Sequence, residues 1–156
     1  MDIKLALIAA LVGYLSGSLS FSRMISAILD PDLNVEEVHT QDTADGEDFH
    51  FRAVGATTAS MKLGGKVGCL IGWLDIFKVA VPTLVFRLLY PGEPIYLFSA
   101  IAGMAGHNWP LYHRFKGGAG VSSIYGGMLV IDWLGAIVCS FAGLFIGLAV
   151  VKDLMV

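Results

Sequence analysis

Charged residues and cysteines are both scarce in this sequence. Only 15% of the 156 residues are charged and 56% are hydrophobic, whereas a typical soluble domain has about 25% charged and roughly 45–50% apolar residues. This composition excludes an ordinary water-soluble domain. The two cysteines, Cys69 and Cys139, lie inside apolar runs, which excludes a disulfide scaffold and provides no metal-ligand spacing. We therefore expect no metal and, with a net charge of −3, no nucleic-acid partner.

The apolar residues are collected in four long runs, which cover residues 3–29, 67–90, 95–112 and 121–151. A helix needs about 20 residues to cross the hydrocarbon core of a membrane. The fourth run is too long for one crossing and too short for two, so Asp132 and Trp133 are predicted to mark a turn between two shortened helices. The first run has no signal-peptide cleavage pattern, and we interpret it as a span.

These runs predict the fold class. We expect an all-α integral membrane protein with about five transmembrane or partly re-entrant helices and glycine-rich cytoplasmic loops. Residues 1–156 are interpreted as a single membrane domain within the lipid bilayer. If the first span starts outside, six basic residues fall on one side, which should be cytoplasmic. These residues are Arg23, Arg52, Lys62, Lys66, Arg114 and Lys116.

The segment 30–50 is strongly acidic. It contains eight of the thirteen acidic residues of the chain and no lysine or arginine, so it must lie in water. We interpret it as a solvated, partly flexible acidic loop. A cation site is the alternative, although neither the spacing nor the order of the carboxylates fits a calcium-binding loop.

Two charges interrupt the second apolar run. Asp75 and Lys78 are three residues apart and therefore lie on the same face of a helix. Charges in a membrane span are costly unless they are paired or face a polar cavity. We predict that the two side chains pair with each other or line such a cavity. A small transporter or channel built around these charges and Asp132 is a further hypothesis.

The segment 106–121 carries the strongest functional signal. A lysine is followed by three glycines in four positions, Lys116-Gly117-Gly118-Ala119-Gly120, directly before a predicted helix. Glycines let the backbone approach an anion, and the free amides at the start of the next helix favour phosphate. The pattern is not a Walker loop, because the lysine precedes the glycines. The alternative is a flexible interhelical turn with basic residues beside the membrane.

Three further groups of residues are candidates for chemistry. The stretch around Arg52, Gly55 and Thr57 is basic and rich in hydroxyl groups, as phosphate-binding loops are, but such loops are also common without a ligand. Ser18 lies in the serine-rich end of the first span, where serines usually bond back to helix carbonyls. His107 is either a general base, because histidine titrates near neutral pH, or a hydrogen-bonded structural residue.

Five motifs follow one another along the chain. Residues 17–22 are similar to Gly-Ser-x-Pro-Phe-Gly, residues 52–58 to Arg-x-Val-Gly-Ser-Gly-Asn-x-Gly-Ala-Thr-Asn with a gap, residues 63–68 to Leu-Gly-Lys-Lys-x-Gly, and residues 74–78 to Leu-Asp-x-x-Lys-Gly. Residues 106–121 match Gly-His-x-x-Pro-x-x-x-x-Phe-Lys-Gly-Gly-Lys-Gly-Val, which is the most specific of the five. In this order the motifs resemble the acyl-phosphate-dependent glycerol-3-phosphate acyltransferases, the bacterial PlsY family of integral membrane enzymes.

The resemblance implies a function and a set of site residues. The function is acyl transfer from a fatty acyl phosphate to glycerol 3-phosphate, which gives lysophosphatidic acid for phospholipid synthesis and needs no cofactor. The enzyme would cross the inner (cytoplasmic) membrane several times, with its active face in the cytoplasm. Ser18 and His107 are the catalytic residues that it implies. The phosphate-binding residues that it implies are Arg52, Gly55, Thr57, Lys116, Gly117, Gly118 and Gly120.

Several positions depart from the family pattern. The Ser-Gly-Asn-x-Gly stretch is absent after Gly55, the asparagine is Thr58, the following arginine is Met61, and the second lysine of the glycine loop is Ala119. Each change removes a phosphate contact that the resemblance leads us to expect. The alternative function is therefore a non-catalytic relative that binds lipid or a partner subunit in the membrane. The sequence also leaves an oligomer open.

Overall fold

The computed structural model describes residues 2–33, 38–41, 48–51, 54–147 and 149. Over these residues the chain forms seven α-helices and a two-stranded hairpin. The helices are α1 (Ile3–Gly17), α2 (Phe21–Leu29), α3 (Ala56–Leu63), α4 (Gly65–Leu89), α5 (Ile95–Asn108), α6 (Val121–Ile131) and α7 (Trp133–Ile146), with a 3₁₀ turn at Leu111–His113. The strands are β1 (Val38–Gln41) and β2 (Asp48–Phe51).

The predicted helical architecture is confirmed. Two helical stretches, Ile3–Leu29 and Gly65–Leu89, are long and apolar enough to cross a membrane, while α6 and α7 are shorter apolar helices. The predicted turn at Asp132 is also confirmed, because this residue separates α6 from α7. Its carboxylate accepts a hydrogen bond from the amide of Gly135 at 2.9 Å and thereby caps the start of α7.

The first apolar run contains a break that the sequence analysis did not predict. α1 ends at Gly17 and α2 begins at Phe21, with Ser20 in an extended conformation (φ −106°, ψ 91°) between them. The carbonyl of Leu19, inside this break, accepts a hydrogen bond from Lys78 Nζ at 2.6 Å. An unbroken helix would hold that carbonyl in its own hydrogen-bond ladder, so the break frees an acceptor for a buried charge of α4.

The hairpin, which was not predicted either, lies in the acidic segment except for its last residue, Phe51. β1 and β2 are antiparallel, with Val38 opposite Phe51 and Gln41 opposite Asp48. Each strand has only four residues, too few for a clear alternating pattern to be recognised. Residues 34–37 and 42–47 lie outside the described residues, so the exposure of the acidic loop to water stays a prediction.

α1 and α5 run parallel and touch backbone to backbone. Gly13 of α1 lies against the backbone of Ser99, and a Cβ at Gly13 would overlap the serine carbonyl. One turn further on, Gly17 lies in the same way against Gly103. Small residues four apart on both helices therefore allow the close packing that is usual between helices in membranes.

α4 lies at the centre of the bundle and contacts α1, α3, α5 and α6. A small apolar cluster closes the end of the bundle where α1 begins and α4 ends; its buried members are Ala9, Phe86 and Ile95. α7 packs against α6, and its outer face carries exposed apolar side chains, among them Trp133, Phe141 and Phe145. Such a surface suits contact with hydrocarbon rather than water.

The close contact of glycines between α1 and α5 leads to a prediction about stability. We expect Gly17→Ala to lower the midpoint of thermal unfolding in detergent, because its Cβ meets the backbone of Gly103; overpacking of this kind typically costs about 1–3 kcal/mol. Gly143→Ala is the matched control: its Cβ meets no atom within 4 Å, and alanine favours a helix by up to about 1 kcal/mol. Equal midpoints for the two variants would contradict the packing described here.

Candidate active site

The candidate site lies where α1 and α5 end. A Cβ at Gly106, near the end of α5, would overlap the carbonyl of Tyr14 and lie close to Ser18, the C-cap of α1. Ser18 is fully buried; its Oγ donates to the carbonyl of Tyr14 at 2.8 Å and accepts from the amide of Leu111 at 3.3 Å. The Tyr14 hydroxyl donates to the carbonyl of Trp109 at 2.8 Å. These bonds hold the chain after α5 against the end of α1.

Three ionisable side chains meet at this end of the bundle. Asp75 Oδ1 lies 2.8 Å from Lys78 Nζ, which confirms the predicted pair. His107 Nδ1 lies 3.7 Å from the same carboxylate oxygen. Less than a tenth of the surface of each residue is exposed. Because His107 belongs to α5 and the pair belongs to α4, the antiparallel packing of these helices assembles the cluster.

Lys78 also connects α4 to the break between α1 and α2. Its Nζ donates to the carbonyl of Leu19 in addition to forming the ion pair with the Asp75 carboxylate, and it lies 5.9 Å from the centre of the Phe21 ring. The Lys78 carbonyl accepts a hydrogen bond from Ser16 Oγ at 2.6 Å. A buried ammonium without such partners is several kcal/mol less favourable, so these contacts explain how the charge is tolerated.

The glycine-rich loop runs from Lys116 to Gly120 and leads directly into α6, as predicted. Gly120 has a left-handed backbone (φ 87°) and lies against the Asn108 side chain, where a Cβ would overlap it. The amide of Gly118 donates to the carbonyl of His107 at 3.2 Å. This amide is therefore engaged within the protein, whereas the resemblance implied that it binds phosphate.

Arg23 of α2 reaches the same loop. Its Nη2 donates to the carbonyl of Lys116 at 2.8 Å, and its Nη1 lies 3.3 Å from Ser20 Oγ. The backbone of the loop is also held by the amide of Val54, which donates to the carbonyl of Gly117 at 3.2 Å. The loop is thus fixed between α2, α5 and the chain segment that precedes α3.

Two cavities share His107 and Asp75 among their lining residues. The first has a volume of about 10 Å³, and its polar lining includes Ser18, Ser22, Arg23, Lys78, Gly117 and Gly118. The second has a volume of about 70 Å³, and its lining includes Gly55, Thr57, Thr58, Gly120 and Ser122. Within the described ranges no three His, Cys, Asp or Glu side chains are grouped so that they could hold a metal ion.

The structure brings together most of the residues that the sequence singled out. Ser18, His107, Gly117 and Gly118 surround the first cavity, and three others, Gly55, Thr57 and Gly120, line the second. Lys116 has an exposed side chain and is not among the residues that line either cavity. Arg52 lies outside the described residues. The roles of all these residues remain predictions.

Sequence reasoning missed some members of the site. It predicted the Asp75–Lys78 pair but did not connect this pair to His107, because 29 positions separate Lys78 from His107. It also missed Tyr14, which looks like an ordinary apolar span residue. The signals that pointed to the members of the cluster were the charge in an apolar run and the motif matches at residues 74–78 and 106–121.

The fold and the site together define a class of protein. The described helices have exposed apolar outer faces, yet they enclose a charged cluster beside a glycine-rich loop. This is the arrangement of a helical membrane protein with a polar site at one end of its helices.

Comparison with known proteins gives the family. The sequence profile described as Glycerol-3-phosphate acyltransferase matches residues 7–154. This chain belongs to the glycerol-3-phosphate acyltransferase family, as its motifs predicted.

Curated relatives and solved structures agree with this assignment. The glycerol-3-phosphate acyltransferase of Mycoplasmopsis synoviae (strain 53) is 30% identical over 159 residues, covering 97% of this chain and 64% of the relative. That of Anaeromyxobacter sp. (strain Fw109-5) is 33% identical over 135 residues, covering 84% of this chain and 61% of the relative. The chain therefore spans less than two thirds of the length of these relatives.

A solved structure shows the same fold. The glycerol 3-phosphate form of PlsY (YgiH), described as an integral membrane glycerol 3-phosphate acyltransferase, matches with a TM-score of 0.72 and 26% sequence identity; the match covers 90% of this chain and 65% of PlsY. Its lysophosphatidic acid form matches with a TM-score of 0.71. The predicted class of an all-α integral membrane protein is thereby confirmed.

The buried ion pair of Asp75 and Lys78 leads to a second prediction about stability. We expect Lys78→Met to lower the stability in detergent by about 3–5 kcal/mol, because it leaves the buried carboxylate of Asp75 without its cation. The double variant Asp75→Asn/Lys78→Met removes both charges and should recover most of the loss. Lys66→Met is the control, since the Lys66 side chain is exposed. Equal unfolding midpoints for Lys78→Met and Lys66→Met would show that the Asp75–Lys78 pair does not contribute to the stability of the protein.

Proposed function

We propose that this chain transfers a fatty acyl group from an acyl phosphate to the glycerol hydroxyl of glycerol 3-phosphate, giving lysophosphatidic acid and phosphate. The main observation in support is that buried Ser18 and His107 and the glycine-rich loop line the same cavity. Relatives with this family's name, and a homologous structure with glycerol 3-phosphate and lysophosphatidic acid forms, support it.

The chemistry suits such a site. An acyl phosphate is a mixed anhydride and is already activated, so the protein has to bring two anions together, reduce their repulsion and orient a hydroxyl. Lys78 and Arg23, which line the first cavity, supply positive charge for this purpose. No further cofactor is needed for the reaction to balance, because the leaving phosphate carries away the bonding electron pair.

We assign roles to residues accordingly. His107 acts as the general base, with Nε2 accepting the hydroxyl proton. Ser18 lines the reacting centre, where its Oγ fixes the chain around Leu111 and Tyr14. The residues assigned to the substrate phosphates are Arg52, Gly55, Thr57, Lys116, Gly117, Gly118 and Gly120, with Gly118 contributing by its lack of a side chain rather than by its amide.

The site belongs, in this proposal, to the cytoplasmic face of the inner membrane, and residues 1–156 act as a single membrane domain. The distribution of charge supports this orientation. Arg23, Lys62, Lys66, Arg114 and Lys116 are associated with the helix ends and loops around the site, and basic residues favour the cytoplasmic side. The acyl chain would lie between the apolar helices, beside the lipid.

A second function has one observation in its favour. The cavity that Ser18 lines has a volume of about 10 Å³, about the space of a single water molecule, while the cavity of about 70 Å³ lies beside Gly55, Thr57 and Gly120. A relative that binds lipid or a partner subunit without catalysis would keep the fold without open space for substrate at Ser18. An assay for lysophosphatidic acid distinguishes the two functions, because only the enzyme forms this product.

The first test is acyl transfer itself. Purified protein in detergent or lipid, supplied with palmitoyl phosphate and labelled glycerol 3-phosphate, should form lysophosphatidic acid. His107→Gln should lower kcat by about 10²–10⁴-fold, since a general base contributes about that much. His113→Gln is the matched control, in the 3₁₀ turn outside both cavities, and should stay within about threefold of the parent. Folded parent protein that forms no product would support the non-catalytic function.

The assignment of Lys116 is tested separately. Lys116→Ala should raise the KM for one of the two phosphorylated substrates by about tenfold, the effect of losing roughly 1.4 kcal/mol of charge-assisted binding. Lys66→Ala makes the same chemical change at another exposed lysine and should leave the KM unchanged. If both variants keep the KM of the parent, the exposed Lys116 side chain is not a substrate ligand.

A further inference from the structure

An open cavity lies at the end of the bundle opposite the candidate active site. Its volume is about 360 Å³, and it is formed by the last turn of α4, the turn between α4 and α5, and the first turn of α5. Arg87, which lines it, is nine positions beyond Lys78 in α4, or about 14 Å further along the helix. Because α4 is long enough to cross a membrane, the cavity lies near the opposite membrane surface.

The turn between α4 and α5 forms a fixed wall of this cavity. The amide of Glu93 donates to the carbonyl of Tyr90 at 3.2 Å, which closes a four-residue turn. Pro91 at the second position holds φ at about −65°, and Gly92 at the third has a φ of 90°, as in a type II turn. Glu93, which is half-buried and lines the cavity, is therefore positioned before any ligand binds.

Arg87 supplies a positive charge whose position is also fixed. Its Nη1 donates to the carbonyl of Val130 at the end of α6, and its guanidinium lies over the Tyr96 ring, 5.6 Å from the centre. A guanidinium has five N–H donors in one rigid plane. It can therefore hold the oxygens of a phosphate while it keeps the bond to Val130.

Two half-buried tyrosines, Tyr90 and Tyr96, also line the cavity. Tyr90 is stacked with Phe86, with 6.5 Å between the ring centres, and both tyrosines pack against the buried apolar cluster at this end of the bundle. Aromatic faces and carboxylates are groups that attract ammonium ions. The cavity thus combines a place for an anion at Arg87 with a place for a cation at Glu93.

The surface of α4 beside the cavity is apolar. Leu88 and Leu89, next to Arg87, are 70% and 64% exposed, so they suit contact with acyl chains. Arginine and tyrosine at a helix end commonly anchor a membrane helix at the interface, but anchoring requires neither a cavity nor a carboxylate. A ligand that matches all these features has a phosphate, an ammonium group and hydrocarbon chains.

We propose that this cavity binds the headgroup of a zwitterionic phospholipid, of the phosphatidylethanolamine type, in the leaflet opposite the candidate active site. The phosphate lies at Arg87, the ammonium group lies between Glu93 and the tyrosine rings, and the acyl chains follow the exposed leucines of α4. This lipid takes no part in acyl transfer. Binding at the cavity is therefore independent of the proposed function.

Binding of phosphatidylethanolamine to the purified protein, measured by native mass spectrometry, tests the phosphate contact. Arg87→Gln should weaken the tightest binding about tenfold, because it removes a charge-assisted hydrogen bond to the phosphate. Arg114→Gln is the matched control, since it makes the same change at an exposed arginine after the 3₁₀ turn, and it should bind as the parent does. Equal affinities of the parent and Arg87→Gln would overturn the proposal.

A second variant tests the ammonium contact. Glu93→Gln should weaken the binding of phosphatidylethanolamine about fivefold and leave that of phosphatidylglycerol, which has no ammonium group, within about twofold of the parent. Asp30→Asn, at an exposed residue that ends α2, should change neither affinity. An unchanged affinity for phosphatidylethanolamine in Glu93→Gln, or an equal loss for both lipids, would overturn the proposal. This variant decides the matter even if Arg87→Gln does not fold.

Competition distinguishes a membrane lipid from a soluble phosphate compound. Free phosphoethanolamine and inorganic phosphate, added in large excess, should not displace phosphatidylethanolamine, because they lack the acyl chains that contact α4. Displacement by either compound would show that the cavity binds a soluble phosphate, and would overturn the assignment to a phospholipid.

Discussion

The contact between the backbones of α1 and α5 is the constraint on which the site depends. Gly13 and Gly17 bring α1 against α5 without side chains in between, and Gly106 continues this contact to Ser18. Ser18 is thereby held at the end of α5, where His107 is located. A side chain at any of these glycines would separate the two helices, and with them the two residues assigned to catalysis.

The second constraint is the cost of charge inside an apolar bundle. Asp75 and Lys78 neutralise each other, but the ammonium needs a further acceptor, and the break between α1 and α2 provides the Leu19 carbonyl. The contacts that stabilise the Lys78 ammonium thus connect α4 to the segment between α1 and α2. The same arrangement places the carboxylate beside His107, so packing, charge compensation and the proposed chemistry depend on one cluster of side chains.

The membrane helices, the turn at Asp132 and the Asp75–Lys78 pair could be predicted because their signals are local in the sequence. Run length and hydropathy indicate membrane helices, Asp132 interrupts an apolar run, and the i, i+3 spacing places Asp75 and Lys78 on one face. The break after Gly17 was not predicted, and the hydrogen bond that it makes possible, from Lys78 to the Leu19 carbonyl, joins residues 59 positions apart. The engagement of the Gly118 amide by the His107 carbonyl was hidden for the same reason: an amide appears free in a sequence until its partner is known.

By itself, the sequence indicated an apolar helical protein by the length of its apolar runs, and the order of its motifs resembled the glycerol-3-phosphate acyltransferase family. Run length and motif order are properties of the chain read in one dimension. Tertiary structure alone decided which of the motif residues meet. It placed His107 between Asp75 and Gly118 and left the Lys116 side chain exposed. The physical reason is that close helix packing and compensation of buried charge depend on distances between residues that are far apart in the chain.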